Sequence, residues 1–419
     1  MRLLHTSDWH LGKACYGFDR NAEHDVVLAE IIELARNYKP HLIIHSGDVW
    51  DQLRPSYLDL TRGVDALKEL AAIAPTVVIC GNHDSPALFE LFMRLLGREH
   101  RLHFISQAKP AAAGGVLEFP AETGEVVRLA SVPFIHGNRM IDADERAEIR
   151  MTNYADRVQH IEDALYESMS RDYDPKRHVL LFAAHLHVTG ATMSNTERQI
   201  HVTESYATRM ERLPQVSYAA FGHIHKPQKL PGTVPGRYAG STIQLDFGEA
   251  GQTKETVTVE IAPGRPPQIE VHKIAGGRQL KTVEGTIDQI GEQADRVGKA
   301  LCVVTVDTES AVPNLQEQVQ ELLPQAQLLA VYERDASRRL QVLGADDVVS
   351  EAEPTFTEAF HDFLKVVGTR QGSADRVLSI FSSLIESVES ETEPSLPELA
   401  ALEKAVESLK PKTVPAPSA

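Results

Sequence analysis

Five short apolar segments within the first 230 residues each run directly into a polar loop, and this repeated pattern constrains the fold more than any other feature. The loops are Asp8-Trp9-His10, Gly47-Asp48-Val49-Trp50-Asp51, Gly81-Asn82-His83-Asp84, His185, and Gly222-His223-Ile224-His225. Amphipathic stretches separate the segments and predict helices near residues 22–37, 57–73, 87–96 and 153–170. Strands alternating with helices indicate an α/β fold, in which side chains that follow the strands meet at one edge of the sheet.

The rest of the chain divides by composition. Turns rich in Pro and Gly separate strand-like runs over residues 231–273, so we expect the first domain to be residues 1–275. Residues 276–345 repeat a helix and strand pattern, which predicts a small α+β domain. The segment 346–392 contains two predicted helices, residues 356–367 and 374–388. The last residues, 393–419, are rich in Ser, Glu, Pro and Lys, and we expect them to be disordered.

Composition indicates a globular protein from a reducing compartment. At 419 residues and 42% hydrophobic, the chain is long enough for a large core and a smaller companion domain. Its three cysteines include no CxxC pair, which argues against a disulfide framework or a cysteine-based zinc site. Asp8 interrupts the stretch where a secretion signal needs apolar residues, and no apolar run approaches the ~20 residues that cross a bilayer. We therefore expect a soluble, cytoplasmic protein.

The net charge of −17 gives no support for nucleic-acid binding, because proteins that hold DNA usually present a basic face to the phosphates. Residues 341–400 contain 12 acidic and 3 basic side chains, which accounts for −9 of that total. The longer N-terminal part is therefore only mildly acidic. If the substrate is a nucleic acid, bound divalent cations or a basic partner must supply the attraction.

Taken one at a time, the polar loops have an ordinary structural explanation. Gly47-Asp48 and Gly81-Asn82 are typical turn sequences, since Gly, Asp and Asn tolerate the backbone angles of tight turns. His83, considered alone, is a turn histidine. Turn chemistry does not explain five such loops, each at a predicted strand end and each carrying Asp, Asn or His. Their joint occurrence predicts a single site.

The residue types at this site predict two divalent metal ions. Carboxylate, amide and imidazole ligands without thiolates favour Mn²⁺, Fe²⁺ or Zn²⁺ over a structural zinc site or a calcium loop. Side chains two residues apart in a loop can face one ion. The predicted ligands are two such pairs, a bridging carboxylate and two further side chains: Asp8 with His10, His223 with His225, Asp48, and Asn82 with His185. Two ions of this kind clamp a phosphate and activate a bridging water, so phosphoester hydrolysis is the predicted reaction.

The signature of the calcineurin-like metallophosphoesterases is, in this order, Asp-x-His, Gly-Asp-x-x-Asp, Gly-Asn-His-Asp, His and Gly-His-x-His. The chain resembles that family over about its first 250 residues, where all five blocks are present. The resemblance implies a β-sandwich flanked by helices, with the small α+β domain as a cap over the active site. It also implies a ligand set for each metal: Asp8, His10, Asp48 and His225 for one ion, and Asp48, Asn82, His185 and His223 for the other.

The resemblance assigns a role to two further residues that are not ligands. In the family, the histidine of the Gly-Asn-His-Asp block, here His83, faces the leaving-group oxygen as proton donor or transition-state stabiliser. The acidic residue that follows it, here Asp84, would orient the histidine.

Finer matches resemble the nuclease subunits of bacterial double-strand-break repair complexes. These matches are the segments 5–12, 47–51, 222–227 and 238–241. Protein phosphatases of the superfamily follow the second block with Arg-Gly, whereas Gln52-Leu53 stand here. The resemblance implies a DNA exonuclease and endonuclease that processes DNA ends and hairpins in repair and recombination. It also implies Mn²⁺ as the metal cofactor. It further implies a homodimer that joins a long coiled-coil ATPase in a heterotetramer associated with the nucleoid.

Alternatives remain at three points. On the family pattern, the helices at 356–367 and 374–388 would dock on the coiled coil, since their apolar faces suit helix-on-helix binding, but they could equally pack on their own domain. A phosphodiesterase of small or cyclic nucleotides would use the same metals without a DNA groove, and it fits the acidic charge. A non-catalytic scaffold is disfavoured because every ligand and His83 are present.

Overall fold

The structure of the protein, a computed structural model, describes residues 1–97, 101–120, 124–135, 147–194, 197, 207–208, 216–310, 312–335, 360, 364 and 377–381. The chain forms two compact units, Met1–Arg339 and Leu340–Ala419. Within the second unit, Leu364 is buried and Phe360 stacks on Phe381, with ring centroids 4.0 Å apart. Most of the predicted helical segment 346–392 and all of the predicted tail 393–419 lie outside the described residues.

Two six-stranded sheets form the body of the first unit. Its N-terminal elements are β1 Arg2–Thr6, α1 Asn21–Tyr38, β2 Leu42–His45, α2 Tyr57–Ile73, β3 Thr76–Ile79, α3 Pro86–Phe92, β4 Leu102–Ile105, β5 Val116–Pro120 and β6 Val126–Val132. The next elements are α4 Ala147–Ser170, β7 His178–His185, β8 His187–Val188, β9 Ala207–Thr208, β10 Tyr218–Gly222, β11 Gln228–Lys229, β12 Gly236–Tyr238, β13 Glu255–Glu260 and β14 Gln268–Lys273. The strand orders are β14-β13-β1-β2-β3-β4 and β11-β12-β10-β7-β6-β5.

The two sheets face each other across an apolar core, and helices cover their outer faces. Alternation along β1 places Leu3 in the core between the sheets and Leu4 in the outer core with residues of α1 and α2. In β10, Ala220 lies between the sheets and Phe221 packs in the outer core that includes residues of α4. Because these strands are buried on both faces, they appear in the sequence as continuous apolar runs. The predicted β-sandwich flanked by helices is confirmed.

A smaller parallel sheet with its own helices follows. Its elements are β15 Leu280–Gly285, α5 Ile287–Gly291, α6 Ala294–Val297, β16 Leu301–Thr308, α7 Leu315–Leu322 and β17 Gln327–Asp335. The strands lie in the order β15-β16-β17, and both pairs are parallel. Val283, Val304 and Val319 belong to a separate core beneath them. This sheet lies within the predicted domain 276–345, whose bounds stay a prediction.

One predicted helix is divided in the structure. The predicted helix at 87–96 is α3 followed by a π-helical stretch, Met93–Gly97. α3 begins one residue earlier than predicted because Ser85 accepts a hydrogen bond from Leu88 N at 3.4 Å, with proline at the first helical position. α2 coincides with its prediction at 57–73.

Candidate metal centre

Parallel strands bring the five loops to one edge of the sandwich. In the first sheet β1 pairs with β2 and β2 with β3, and in the second β7 pairs with β10, always in parallel. Backbone hydrogen bonds connect the first two loops, from Asp8 N to Gly47 O at 2.9 Å and from His10 N to Asp48 O at 3.1 Å. His223 N donates to Asp8 Oδ1 at 3.2 Å, which joins a loop of one sheet to a loop of the other.

Four predicted ligands have left-handed backbone angles. They are Asp8, His10, Asp48 and His223, with φ of 49°, 47°, 55° and 97°. Non-glycine residues rarely adopt this region, and such strained backbone concentrates at functional sites. The surrounding fold must therefore hold these turns in place, and the four side chains are almost completely buried.

Glycines beside the ligands permit close packing. A Cβ atom on Gly81 would lie 2.1 Å from Asp48 Oδ1, and one on Gly47, whose φ is +111°, would lie 2.1 Å from His185 Nδ1. Because no real side chain tolerates such contacts, only glycine fits at either position. The glycines of these two motifs thus make room for ligands as well as forming turns.

The first predicted ligand set forms a compact buried cluster. Asp8, His10, Asp48 and His225 each offer a ligand atom, and these atoms all lie within 4.8 Å of one another. Asp8 Oδ2 and His10 Nε2 are buried and make no hydrogen bond. Buried polar atoms normally have a partner, so the two atoms fit a bound cation that would complete their coordination.

The second predicted set is joined through the amide of Asn82. Asn82 Oδ1 lies 3.0 Å from His185 Nε2 and 2.9 Å from His223 Nδ1. Asp48 Oδ2 lies 3.3 Å from His185 Nε2 and 3.5 Å from His10 Nε2, which places one carboxylate oxygen between the two sets. All seven predicted ligands therefore surround one region, and their assignment as ligands stays a prediction.

The electrostatics of the cluster also suit a cation. Burial raises the pKa of Asp8 to about 6, because a buried carboxylate is costly when it is charged. Burial also lowers the pKa of His10 to about 4, which keeps the imidazole neutral and able to donate a lone pair. Burial opposes ionisation of Asp48 too, but the neighbouring His185 and His83 outweigh it and hold the pKa of Asp48 well below its usual range. A divalent ion would stabilise the ionised form of both carboxylates.

His83 lies beside the cluster, and Asp51 holds it there. His83 Nδ1 donates to the backbone carbonyl of Asp51 at 2.7 Å, and His83 N donates to Asp48 Oδ1 at 2.8 Å. The His83 ring packs edge-on against His10, with centroids 4.7 Å apart, and its side chain is 14% exposed. It is therefore more open to a substrate than the buried ligands.

The role expected of Asp84 is corrected by its contacts. Its carboxylate accepts hydrogen bonds from the backbone N–H groups of Gly81, Trp50 and Val49, at 2.9, 3.1 and 3.3 Å. Asp84 therefore ties the second loop to the third and does not orient the His83 ring. The contact that holds the His83 ring comes instead from the backbone carbonyl of Asp51, on the neighbouring loop.

Sequence reasoning missed the groups behind the ligands. Glu249 Oε1 lies 3.0 Å from His225 Nδ1, Glu197 Oε1 accepts from His225 N at 3.0 Å, and the backbone carbonyl of Ser46 lies 2.8 Å from His185 Nδ1. Glu249 is 24 residues from its partner and Ser46 is 139 residues from His185, so no local spacing signals these contacts. Asp51 was part of a recognised motif, yet its contact with His83 depends on how two loops pack.

Comparison with known proteins identifies the class. The family model described as calcineurin-like phosphoesterase matches residues 1–227, and one described as type 5 capsule protein repressor C-terminal domain matches residues 277–367. A solved dimetal phosphatase from Danio rerio is 11% identical, with a TM-score of 0.39, over 66% of this chain and 99% of that one. The family match, which covers more than half of the chain, defines the class: a metal-dependent phosphoesterase of the calcineurin-like family, which uses two divalent metal ions.

Curated relatives narrow this class. The SbcD subunit of the nuclease SbcCD from Escherichia coli strain K12 is 26% identical over 94% of this chain and 100% of its own length. The protein of the same name from Bacillus subtilis strain 168 is 30% identical over 67% of this chain and 71% of its own length. The chain belongs to the SbcD family of calcineurin-like phosphoesterases. Among the described residues, no helix is both long enough and apolar enough to cross a membrane.

Proposed function

We propose that the protein is the nuclease subunit of an SbcCD-type complex and hydrolyses DNA phosphodiester bonds with two metal ions. The observation that carries the proposal is the buried cluster of Asp8, His10, Asp48 and His225, in which two polar atoms lack hydrogen-bond partners. The phosphodiesterase chemistry follows from this site. DNA as substrate is supported by the relatives named as nucleases.

The seven side chains divide between two ions. The proposed ligands are Asp8, His10, Asp48 and His225 for the first ion, and Asp48, Asn82, His185 and His223 for the second. When bound, two such ions polarise the phosphate and lower the pKa of a shared water. The mixture of carboxylate, amide and imidazole donors, without thiolates, suits Mn²⁺, Fe²⁺ or Zn²⁺, and we propose Mn²⁺ because it is the metal that the family resemblance implies.

His83 is proposed to handle the proton of the leaving group. Its Nδ1–H is held by the Asp51 carbonyl, so Nε2 is the ring nitrogen that can exchange a proton with the departing oxygen. Asp51 also accepts from His10 Nδ1 at 3.2 Å, through its carboxylate. One residue therefore positions both a proposed ligand and the proposed proton donor.

The complex requires a partner. We propose that a coiled-coil ATPase resembling SbcC binds the C-terminal helices near 356–367 and 374–388, and that two copies of this chain join it at the nucleoid. The rings of Phe360 and Phe381, one from each segment, stack on each other, which supports a shared helical surface. Such a partner could also supply the basic surface that the net charge of −17 does not provide.

The acidic net charge favours one alternative function, in which the protein is a phosphodiesterase of small or cyclic nucleotides. The deciding experiment incubates the purified protein with Mn²⁺ and linear DNA, with and without the ATPase partner, and in parallel with cyclic nucleotides. We expect cleavage of DNA, enhanced by the partner, and its loss in Asp48→Asn and His83→Gln. Hydrolysis of cyclic nucleotides with intact DNA would establish the alternative function. DNA cleavage that persists in both variants would show a contaminating nuclease and refute the assignment.

A further inference from the structure

A buried ion pair lies behind His225. Glu249 Oε1 is 3.0 Å from His225 Nδ1, and Glu249 Oε2 accepts a hydrogen bond from Lys254 Nζ at 2.6 Å. The side chain of Glu249 is 0% exposed and that of Lys254 is 5% exposed. The same carboxylate oxygen accepts from Ser241 Oγ at 2.9 Å and from Leu245 N at 3.1 Å. A cation and two neutral donors thus hold the carboxylate in one orientation.

The position of Glu249 determines which nitrogen of His225 carries a proton. An ionised carboxylate only accepts hydrogen bonds, so the neutral ring must keep its single proton on Nδ1, facing Glu249. Nε2 then presents its lone pair. This is the form of histidine that binds a metal ion, and His225 offers a ligand atom within 4.8 Å of those of Asp8, His10 and Asp48.

Lys254 holds the backbone of the same histidine. Its Nζ donates to the carbonyl oxygen of His225 at 3.2 Å, in addition to its bond with Glu249. Lys254 immediately precedes β13, which pairs with β1, the strand that leads to Asp8. The ion pair therefore links the His225 loop to the sheet that carries the other proposed ligands of the first ion.

We propose that Glu249, held by Lys254, is a positioning residue that sets the tautomer and ring orientation in which His225 binds the first metal ion. This inference rests on the ligand role proposed above for His225. Removing a carboxylate behind a metal-bound histidine typically weakens metal affinity about 10–100-fold. The same loss is expected here, confined to one of the two ions.

The test measures metal binding by the full-length protein, stripped with a chelator and titrated with Mn²⁺ by calorimetry and electron paramagnetic resonance. Glu249→Gln alone leaves Lys254 as an uncompensated buried charge, so the double variant Glu249→Gln/Lys254→Met, which removes both charges, is the sharper probe. We expect the double variant to bind one Mn²⁺ as the wild type does and the other about 10–100-fold more weakly.

A second buried pair supplies a matched control. Arg20 Nε lies 2.7 Å from Glu23 Oε1, with side chains 0% and 8% exposed, and neither residue contacts a proposed ligand. Arg20→Met/Glu23→Gln should lower the melting temperature without changing either affinity. Two sites of wild-type affinity in the Glu249/Lys254 double variant would overturn the inference. A loss of Mn²⁺ affinity at both sites, together with a melting temperature below that of the control variant, would also overturn the inference, because it would indicate a structural role. If the wild type binds fewer than two ions, the proposed function fails instead.

Discussion

At the scale of single residues, the Asp48 side chain lies between the two proposed ligand sets. Its Oδ2 atom lies close to His10 and His185, and its Oδ1 atom accepts from the backbone of His83. A carboxylate shared in this way has little freedom to move. Its function therefore depends on neighbours that keep the surrounding backbone in place.

One neighbour, Gly81, provides a direct test of this dependence. A Cβ at this position would lie 2.1 Å from Asp48 Oδ1 and 2.5 Å from Asp48 N, so Gly81→Ala must displace the carboxylate or its loop. We expect kcat on DNA to fall about 100-fold, with weaker binding of both metal ions. Gly291→Ala is the control, because a Cβ there would meet only the end of the Leu322 side chain. Wild-type activity in Gly81→Ala would mean that the loop relaxes without cost.

His83 is expected to serve the reaction rather than metal binding. His83→Gln should lower kcat about 10²–10⁴-fold, because a positioned proton donor contributes that much to a rate. Metal content, measured by mass spectrometry of the dialysed protein, should remain two ions per chain. A loss of metal together with activity would show instead that His83 is a ligand.

At the scale of elements, the sequence predicted correctly those strands whose burial is visible in their amino-acid composition. Strands such as β2 and β7, buried on both faces, are continuous apolar runs, and the polar residues that follow them were recognised as a site. It failed for Asp84 and could not find Glu249, because those contacts are set by how loops pack after the strands have assembled. The spacing of residues along the chain therefore does not predict these contacts.

Helix α4 carries a buried acid whose titration should be visible in the stability of the fold. Glu162 is completely buried, accepts a hydrogen bond from Thr208 Oγ1 at 2.5 Å, and has its pKa raised by burial to about 8. The folded state therefore favours the protonated acid. This contribution to stability is complete below about pH 4.5 and is lost as the pH rises through about 8.

Glu162→Gln, which is uncharged at every pH, should remove this dependence. Urea unfolding between pH 5 and pH 9 is expected to show the wild type losing stability relative to the variant, on the order of a few kcal/mol across the range. Glu167→Gln, at an exposed position on the same helix, should track the wild type. Parallel curves for Glu162→Gln and the wild type would mean that the acid is not buried in solution.

At the scale of the whole molecule, catalysis and partner binding should be separable. The proposed metal centre lies entirely within the unit Met1–Arg339, whereas the proposed partner helices belong to the unit Leu340–Ala419. A chain ending at residue 345 should therefore hydrolyse a small phosphodiester such as bis-p-nitrophenyl phosphate at the wild-type rate. It should fail to bind the ATPase in gel filtration. Retained binding would place the partner surface elsewhere.

The arrangement of the proposed ligands would also make the metal ions a cross-link between the two sheets. Asp48 and Asn82 follow strands of one sheet, whereas His185 is the last residue of a strand of the other sheet and His223 follows the neighbouring strand. An ion held by all four would fasten the two halves of the sandwich at one edge. Ions that bind only the folded state stabilise it by about 2.7 kcal/mol per site at one hundred times the dissociation constant. The melting temperature should therefore rise with the logarithm of Mn²⁺ concentration and fall in chelator. A shortage of metal ions would then shorten the lifetime of the folded protein as well as abolish its activity.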